Sequence, residues 1–289
     1  MVSQSPSIAQ DYIDHFQRMQ AAAPMPKVSE LFFPALIDNP QAHAEFGVVV
    51  LADGSVGLTY LHLEGTRREA VFEYLSELVG APPGQVIGEF AGPSAWRKAV
   101  AMGVLNACAQ SFMSRLNVAL PAAGDSLGNL DLHPGDRVGM VGYFPPLVQA
   151  VKDLGIQLNV LEFKSERHCV EPGLRVSDDR SILAHCNKVL CTSTVVLNDT
   201  LDQVLEACCD ADRIAVIGPS AGFLPDPLFA RGVSSVGGCH IPDAKEFLSR
   251  CRENKRWGGA TIKYCLHKAN YPGLDNLLEN AKTLNISEP

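Results

Sequence analysis

The stretch Arg137-Val-Gly-Met-Val-Gly-Tyr-Phe144 is followed directly by Pro145-Pro-Leu-Val-Gln-Ala-Val-Lys-Asp-Leu-Gly155. The first segment contains a short apolar run that ends at Gly142. The second is a helical pattern that starts at a proline and stops at a glycine. This order predicts a buried strand, a tight turn and a crossover helix. We therefore expect the segment to form the first β-α step of a parallel sheet.

Four more apolar runs follow this segment, and helical patterns lie between and after them. The runs are 157–163, 188–195, 213–218 and 234–239, and the helical patterns cover 145–154, 178–186, 197–209, 227–231 and 243–254. Strands that alternate with helices of this size favour a parallel sheet covered on both faces. We predict an α/β fold with a Rossmann-like domain over residues 136–289. If the runs are numbered along the chain, the expected strand order is 3-2-1-4-5.

The first half of the chain has a different pattern. Apolar periodicity predicts helices over 8–20, over 69–79 and from Ser94 or Ala95 to Leu116. The last helix is rich in Ala and Gly, so another element can approach it closely, and it could serve a homodimer as easily as the core. Two strand-like runs, 46–51 and 56–61, flank an Asp-Gly turn and predict a β-hairpin, whereas 21–34 is expected to be irregular.

These elements predict two domains. The first is a smaller α+β domain over residues 1–122, and a turn-rich linker over 123–135 leads to the Rossmann-like domain. The composition agrees with a folded chain of that size, because 46% of its 289 residues are hydrophobic and 19% are charged.

Charge and cysteine content narrow the function classes. A net charge of −8 and the lack of a Lys and Arg cluster argue against a nucleic-acid partner. No run of 18 apolar residues and no targeting pattern is present, so we expect a cytoplasmic protein without a membrane partner. Nine cysteines, an odd number without C-x-x-C spacing, indicate a reducing compartment.

Ligands of open parallel sheets bind beyond the carboxyl ends of the strands, so the residues that follow each apolar run are the candidate site. Glu162 and Asn198 are the candidate catalytic residues: Glu162 would orient a hydroxyl or act as a general base, and Asn198 would stabilise negative charge. Glu162 could instead pair with Lys164 or Arg167, and Asn198 could cap the next helix. The candidate ligand-binding residues are Gly142, Tyr143, Phe144, Thr192, Ser193, Thr194, Gly218, Pro219 and Ser220, with Asn106 reaching in from the first domain.

The expected ligand is a small anionic or nucleotide-like molecule. Gly139-Met-Val-Gly142 is not a full G-x-G-x-x-G fingerprint, and the prolines after it leave few free amides, which argues against NAD. A divalent transition metal is the cofactor we consider, since thiolate and imidazole suit such ions. Its candidate ligands are Cys239 and His240 after the fifth run, and His168 and Cys169 after the second. Buried core cysteines and histidines with structural hydrogen bonds are the alternative.

Several segments together resemble one known family. They are Val141-Gly-Tyr-Phe-Pro145, Glu162, Cys191-Thr-Ser-Thr-Val-Val-Leu-Asn-Asp-Thr-Leu201 and Val216-Ile-Gly-Pro-Ser220. They resemble the Rossmann-like domain of the family called "putative heavy-metal chelation". The first half, with its hairpin and the helix Trp96-Arg-Lys-Ala-Val-Ala-Met-Gly-Val-Leu-Asn106, looks like the smaller domain of that family, which has an enolase N-terminal-like fold.

The resemblance covers most of the chain and implies a site between the two domains. It implies an enzyme of condensation, hydrolysis or transferase-like chemistry in the biosynthesis of flavin-, pterin- or siderophore-like metal chelators. The Rossmann-like half of such proteins is similar to methyltransferases. However, Arg137-Val-Gly-Met lacks the acidic residue that precedes a G-x-G turn, which argues against S-adenosylmethionine. The alternative function is heavy-metal binding or delivery without catalysis.

Overall fold

A computed structural model of the chain describes residues 7–34, 46–61, 68–125 and 127–284. It contains a three-stranded sheet and an eight-stranded sheet. The strands are β1 (Val28–Phe32), β2 (Phe46–Leu51), β3 (Val56–Tyr60), β4 (Arg137–Val141), β5 (Gln157–Leu161), β6 (Cys169–Glu171), β7 (Leu174–Ser177), β8 (Lys188–Thr192), β9 (Arg213–Ile217), β10 (Ser235–His240) and β11 (Ile262–His267). The helices are α1 (Ile8–Ala22), α2 (Arg68–Leu78), α3 (Gly84–Ile87), α4 (Ala95–Arg115), α5 (Pro145–Asp153), α6 (Thr194–Leu197), α7 (Leu201–Ala207), α8 (Asp226–Ala230), α9 (Ala244–Arg252) and α10 (Leu274–Thr283).

The five predicted apolar runs form the parallel centre of the large sheet, as β4, β5, β8, β9 and β10. The full order is β11-β10-β9-β8-β4-β5-β7-β6, with β6 and β11 antiparallel at the edges. The predicted order of the runs is wrong, because the third run, β8, pairs with β4 and does not lie outside β5. That outer place belongs to β7, a short strand of alternating burial that the apolar runs do not reveal.

Only some of the helices predicted for the second half are present. Helices α5, α8 and α9 lie at the predicted places, and the pattern over 197–209 forms α7, whereas α6 begins inside the predicted run 188–195. The pattern over 178–186 forms only a 3-10 turn at Arg180–Leu183. Its apolar residues pack instead under β4, where a Cβ on Gly139 would lie 2.9 Å from the side chain of Leu183. Strand β11 and helix α10 are elements that the sequence patterns do not predict.

The first half confirms the predicted hairpin and its helices. Strands β2 and β3 pair antiparallel, with Val50 opposite Val56. The expectation that 21–34 is irregular is wrong in part, because β1 adds an antiparallel strand to β2. Helix α4 is buried at every residue from 98 to 113. It lies so close to β3 that a Cβ on Gly57 would be 2.1 Å from the carbonyl oxygen of Gly103. The small residues of α4 therefore serve the core.

Helix α4 lies between the two sheets. One hydrophobic cluster joins α1, α4 and β2 to the near face of the large sheet, which presents Val189 and Val216. A second cluster covers the far face, where α5 and Leu130 pack against β4, β5 and β8. Leu130 belongs to the predicted linker, which also receives a hydrogen bond from Ser235 Oγ to Gly128 O at 2.8 Å. None of the described helices is long and apolar enough to cross a bilayer.

Candidate functional site

A groove of about 690 Å³ lies on the far face of the large sheet, at the carboxyl ends of β9 and β10. Its floor consists of residues from three adjacent strands, and its walls come from the start of α5, from the segment before β4 and from the turn before β11. The lining residues are Ala123, Asp125, Gly128, Phe144, Pro146, Leu147, Ile217, Gly218, Pro219, Gly237, Gly238, Cys239, Arg256, Trp257, Gly258, Gly259, Thr261, Lys263, Tyr264 and Cys265. The groove thus has the position of a ligand site in an open α/β sheet.

The floor of the groove carries two thiols. Burial raises the pKa of Cys239 to about 12 and the pKa of Cys265 to about 11. The thiol of Cys239 lies 3.9 Å from the carbonyl oxygen of Pro219, and the thiol of Cys265 lies 3.7 Å from that of Gly128. Both cysteines are therefore neutral at physiological pH, and they behave as small polarizable apolar groups.

The rim of the groove is aromatic and basic. Trp257 is fixed by edge contacts with two phenylalanines, at centroid distances of 5.9 Å to Phe46 of β2 and 5.4 Å to Phe247 of α9. Arg256 precedes Trp257 and is exposed, and the exposed Lys263 lies on the adjoining floor, opposite Cys239. On the opposite wall, Asp125 accepts hydrogen bonds from the backbone amides of residues 127 and 129 through Oδ1. The groove therefore combines an apolar floor with cationic groups at one side.

Four residues of the predicted site line this groove, namely Phe144, Gly218, Pro219 and Cys239. The predicted residues after β4 and β8 lie next to one another and next to Gly218. A Cβ on Gly142 would be 3.3 Å from the methyl group of Thr192, and one on Gly218 would be 2.5 Å from Ser193 Oγ. Thr192 Oγ1 also accepts a hydrogen bond from the hydroxyl of Thr194 at 3.0 Å. Gly142, Thr192 and Ser193 therefore contact their neighbours and do not line the groove.

Asn106 and Ser220, two of the predicted ligand-binding residues, contact each other in the interior of the protein. The side-chain amide of Asn106 donates to Leu58 O at 2.7 Å and to Ser220 O at 2.8 Å. Asn106 is fully buried and Ser220 is 1% exposed. Asn106 Oδ1 and Ser220 Oγ have no hydrogen-bond partner among the described residues. The contact ties β3, α4 and the loop after β9 together.

Glu162 follows β5 and is used in protein contacts. Its Oε2 accepts from the amide of Tyr143 at 3.1 Å and pairs with Arg167 at 3.3 Å, and its Oε1 accepts from the amide of Lys164 at 3.0 Å. Burial alone would raise the pKa of this carboxyl, but these hydrogen bonds and Arg167 outweigh burial and lower it. The geometry thus matches the ion-pair alternative, in which Glu162 stabilises the turn after β4.

Asn198 makes a local contact next to α7, although it does not cap that helix, whose N-cap residue is Thr200. Its Oδ1 accepts from the Thr200 hydroxyl at 2.7 Å and from the Thr200 amide at 3.3 Å, at the start of α7. Asn198 is exposed and does not line the groove. The neighbouring Asp199 forms an ion pair with Lys98 of α4. This segment therefore links the sheet to α4 and lies outside the groove.

The four candidate metal ligands do not converge. His168 and Cys169 lie at β6, whereas Cys239 and His240 lie in β10, six strand positions away. At about 4.8 Å per strand, that separation is about 29 Å. Cys239 and His240 are successive strand residues, so their side chains point to opposite faces.

The described residues also contain no other group of three or more His, Cys, Asp and Glu side chains that could hold a metal ion. His240 lies 3.3 Å from Gln110 Oε1 through Nδ1, and burial lowers its pKa. His168 lies 2.8 Å from Glu162 O through Nε2. Both histidines therefore have the structural hydrogen bonds of the alternative interpretation, and we derive no chemistry through a bound metal.

Sequence reasoning missed the rim of the groove. Residues 256–261 precede β11, an antiparallel edge strand that the search for alternating strands and helices did not identify. The segment Arg256-Trp-Gly-Gly259 contains a signal that could have been noticed, because a tryptophan beside a basic residue and two glycines is typical of a binding turn more than of a core element.

Comparison with known proteins gives one family. Residues 125–267 match the model of the family described as putative heavy-metal chelation. A protein of Methanocaldococcus jannaschii described as uncharacterized is 24% identical over 176 residues, which are 58% of this chain and 65% of that protein. The match therefore spans less than two thirds of the length of that relative.

Two solved structures of proteins with unknown function from the same family share the fold. The one from Pyrococcus horikoshii has a TM-score of 0.67 at 15% identity and covers 89% of this chain and 99% of its own. The one from Desulfitobacterium hafniense has a TM-score of 0.66 at 20% identity and covers 90% and 99%. Residues 125–267 of the chain therefore belong to the putative heavy-metal chelation family, and the two solved structures from that family share the fold of the chain.

Proposed function

We propose that the protein binds a small molecule in the groove on the far face of the large sheet and acts on it as an enzyme. The observation that carries this proposal is the groove itself, with its volume of about 690 Å³. Its size falls within the range of small-molecule sites, roughly 300–1,000 Å³, and its lining is mainly apolar with a few polar groups. It also lies where parallel sheets commonly bind ligands.

The reaction class we propose is condensation or hydrolysis in the biosynthesis of a metal-chelating metabolite. Two groups of the groove suit acid-base chemistry. Asp125 is oriented by the two amides that bond to Oδ1, which leaves Oδ2 as the oxygen available to a substrate or a water molecule. Lys263, on the floor, can donate a proton or stabilise developing negative charge.

We also propose that the first half of the chain is an enolase N-terminal-like domain that supports the groove. The three-stranded sheet and α4 supply the elements of such a unit. Its contact with the rim is the packing of Phe46 against Trp257, at a centroid distance of 5.9 Å. The site would then depend on both halves of the chain. It would lie on the far face of the sheet, and only some of the strand ends predicted from the sequence would line it.

The test is mass spectrometry of the native protein, purified without added ligand, in the wild type and in Gly259→Trp. A Cβ on Gly259 would have no neighbour within 4 Å, so the bulky side chain occupies the rim with little effect on the fold. The control is Gly88→Trp, at an equally open glycine away from the groove. We expect a bound small molecule in the wild type and the control, and its loss in Gly259→Trp. Equal retention in both variants would refute the site.

A further inference from the structure

We infer that the ligand of this groove is a planar aromatic anion, such as an aromatic carboxylate or phenolate. The inference rests on the proposed function and specifies the ligand class of that site. It depends on three features of the lining: its flat surfaces, a fixed aromatic ring and a cationic edge.

The flat surfaces come from the floor and the walls. Gly218, Gly237 and Gly238 present backbone without side chains, and the neutral thiol of Cys239 lies among them. Sulfur makes favourable contacts with aromatic rings, and bare backbone lets a ring approach closely. Phe144 adds an aromatic side chain from the wall at the start of α5. A thin, planar molecule therefore fits this lining better than a bulky, flexible one.

The indole ring of Trp257, on the opposite rim, is held in place by contacts within the protein. Trp257 meets Phe46 at an interplanar angle of 84° and Phe247 at 62°, so both neighbours contact the indole in edge geometry. Rings fixed in this way lose little conformational entropy when a ligand stacks on them. Because the turn of Trp257 leads into β11 whereas Phe144 follows β4, the two aromatic groups lie on opposite sides of the floor.

The cationic edge selects an anion. Arg256 adjoins Trp257, is exposed, and forms no ion pair within the ranges that the structure describes. Lys263 adds a second basic group to the lining. These groups stand out in a chain with a net charge of −8. A guanidinium beside a tryptophan can bind a carboxylate in bidentate fashion while it stacks on an aromatic plane.

The same lining disfavours a nucleotide. Phosphate sites of α/β sheets rely on backbone amides at the start of a helix. Helix α5 begins with Pro145 and Pro146, and proline has no amide hydrogen to donate. The groove therefore offers side-chain cations for a single anionic group, and it lacks an amide cradle for a phosphate chain at this helix.

Isothermal titration calorimetry with three probes tests the inference. The probes are 2-naphthoate, which is planar and anionic, 2-naphthamide, which is planar and neutral, and cyclohexanecarboxylate, which is anionic and not planar. We expect 2-naphthoate to bind at least about tenfold more tightly than 2-naphthamide, which lacks the charge-assisted hydrogen bond. It should also bind more tightly than cyclohexanecarboxylate, which cannot stack on the aromatic rings. Equal binding of the three probes, or no binding of 2-naphthoate, would overturn the inference.

Matched charge reversals locate the binding. Arg256→Glu should weaken 2-naphthoate at least about tenfold, whereas Lys282→Glu, an exposed lysine of α10, should leave it unchanged. Equal affinity in wild type and Arg256→Glu would also overturn the inference. A different result would separate this inference from the proposed function. If 2-naphthoate does not bind but a co-purified molecule is lost in Gly259→Trp, then the groove is the site and only the inferred ligand class is wrong.

Discussion

Replacing Asn106 by aspartate should make the stability of the protein depend steeply on pH. Asn106 is fully buried, and its amide donates to two carbonyl oxygens, Leu58 O at 2.7 Å and Ser220 O at 2.8 Å. An aspartate has nearly the same shape, but it would direct a carboxylate oxygen at those carbonyls. Burial without a donor raises the pKa of a carboxyl, by roughly 3 to 5 at fully buried sites.

Proton binding to the new carboxyl sets the direction and the size of the effect. Because the folded state holds the proton more tightly than the unfolded chain, the penalty is absent below a pH of about 4 and grows as the pH rises through the raised pKa. An increase of one in the pKa corresponds to about 1.4 kcal/mol, so an increase of about three lowers the free energy of unfolding by about 4 kcal/mol at neutral pH. That loss is a large part of the roughly 5–15 kcal/mol typical of a folded domain.

Urea unfolding followed by circular dichroism measures the effect for wild type, Asn106→Asp and Asn106→Ala. The alanine variant lacks both hydrogen bonds at every pH, so its loss relative to wild type should stay constant. The aspartate variant should lose about 2 to 3 kcal/mol more at pH 7.5 than at about pH 5. A difference from wild type that is the same at both pH values would refute this reasoning about the buried contact.

Three further substitutions, with one control, test the packing and the carboxylates. Gly57→Ala should destabilise the protein by several kcal/mol in a thermal melt, because its Cβ would lie 2.1 Å from a backbone oxygen of α4, whereas Gly258→Ala should change little. Burial raises the pKa of Asp136, but hydrogen bonds from Asn187, His133 and Lys188 outweigh burial and lower it to about 2. The wild type should therefore lose stability as pH falls from about 4 towards 2, and Asp136→Asn should flatten that part of a urea midpoint curve. Glu162→Gln should lower the melting temperature and leave ligand binding in the groove unchanged; a loss of binding at full stability would instead support a catalytic Glu162.

Local sequence patterns were sufficient to predict the elements that have strong apolar periodicity. The apolar run before Gly142 and the proline-started helix after it are a strand and a crossover helix, as predicted. The small residues of α4 indicated close approach, and Gly103 does lie against β2 and β3. Each of these predictions depends on neighbours within one element, which sequence order already places together.

The strand order and the location of the site depend on tertiary contacts. Strand β7 has only four residues, so nothing in the sequence shows that it takes the place beside β5. The hydroxyls after β8 were predicted to face a ligand, but Ser193 packs against Gly218. Glu162 follows the second apolar run, where we predicted an acid that orients a hydroxyl, and only the fold shows that its oxygens are occupied by Tyr143, Lys164 and Arg167.

A crystal structure of the protein, purified without added ligand or soaked with 2-naphthoate, would show directly whether the groove is the binding site. We expect density for a small molecule over the floor of β9 and β10, in contact with Trp257 and Arg256. Density for the molecule at the strand tips around Thr192, with the groove filled only by solvent, would contradict the proposed site.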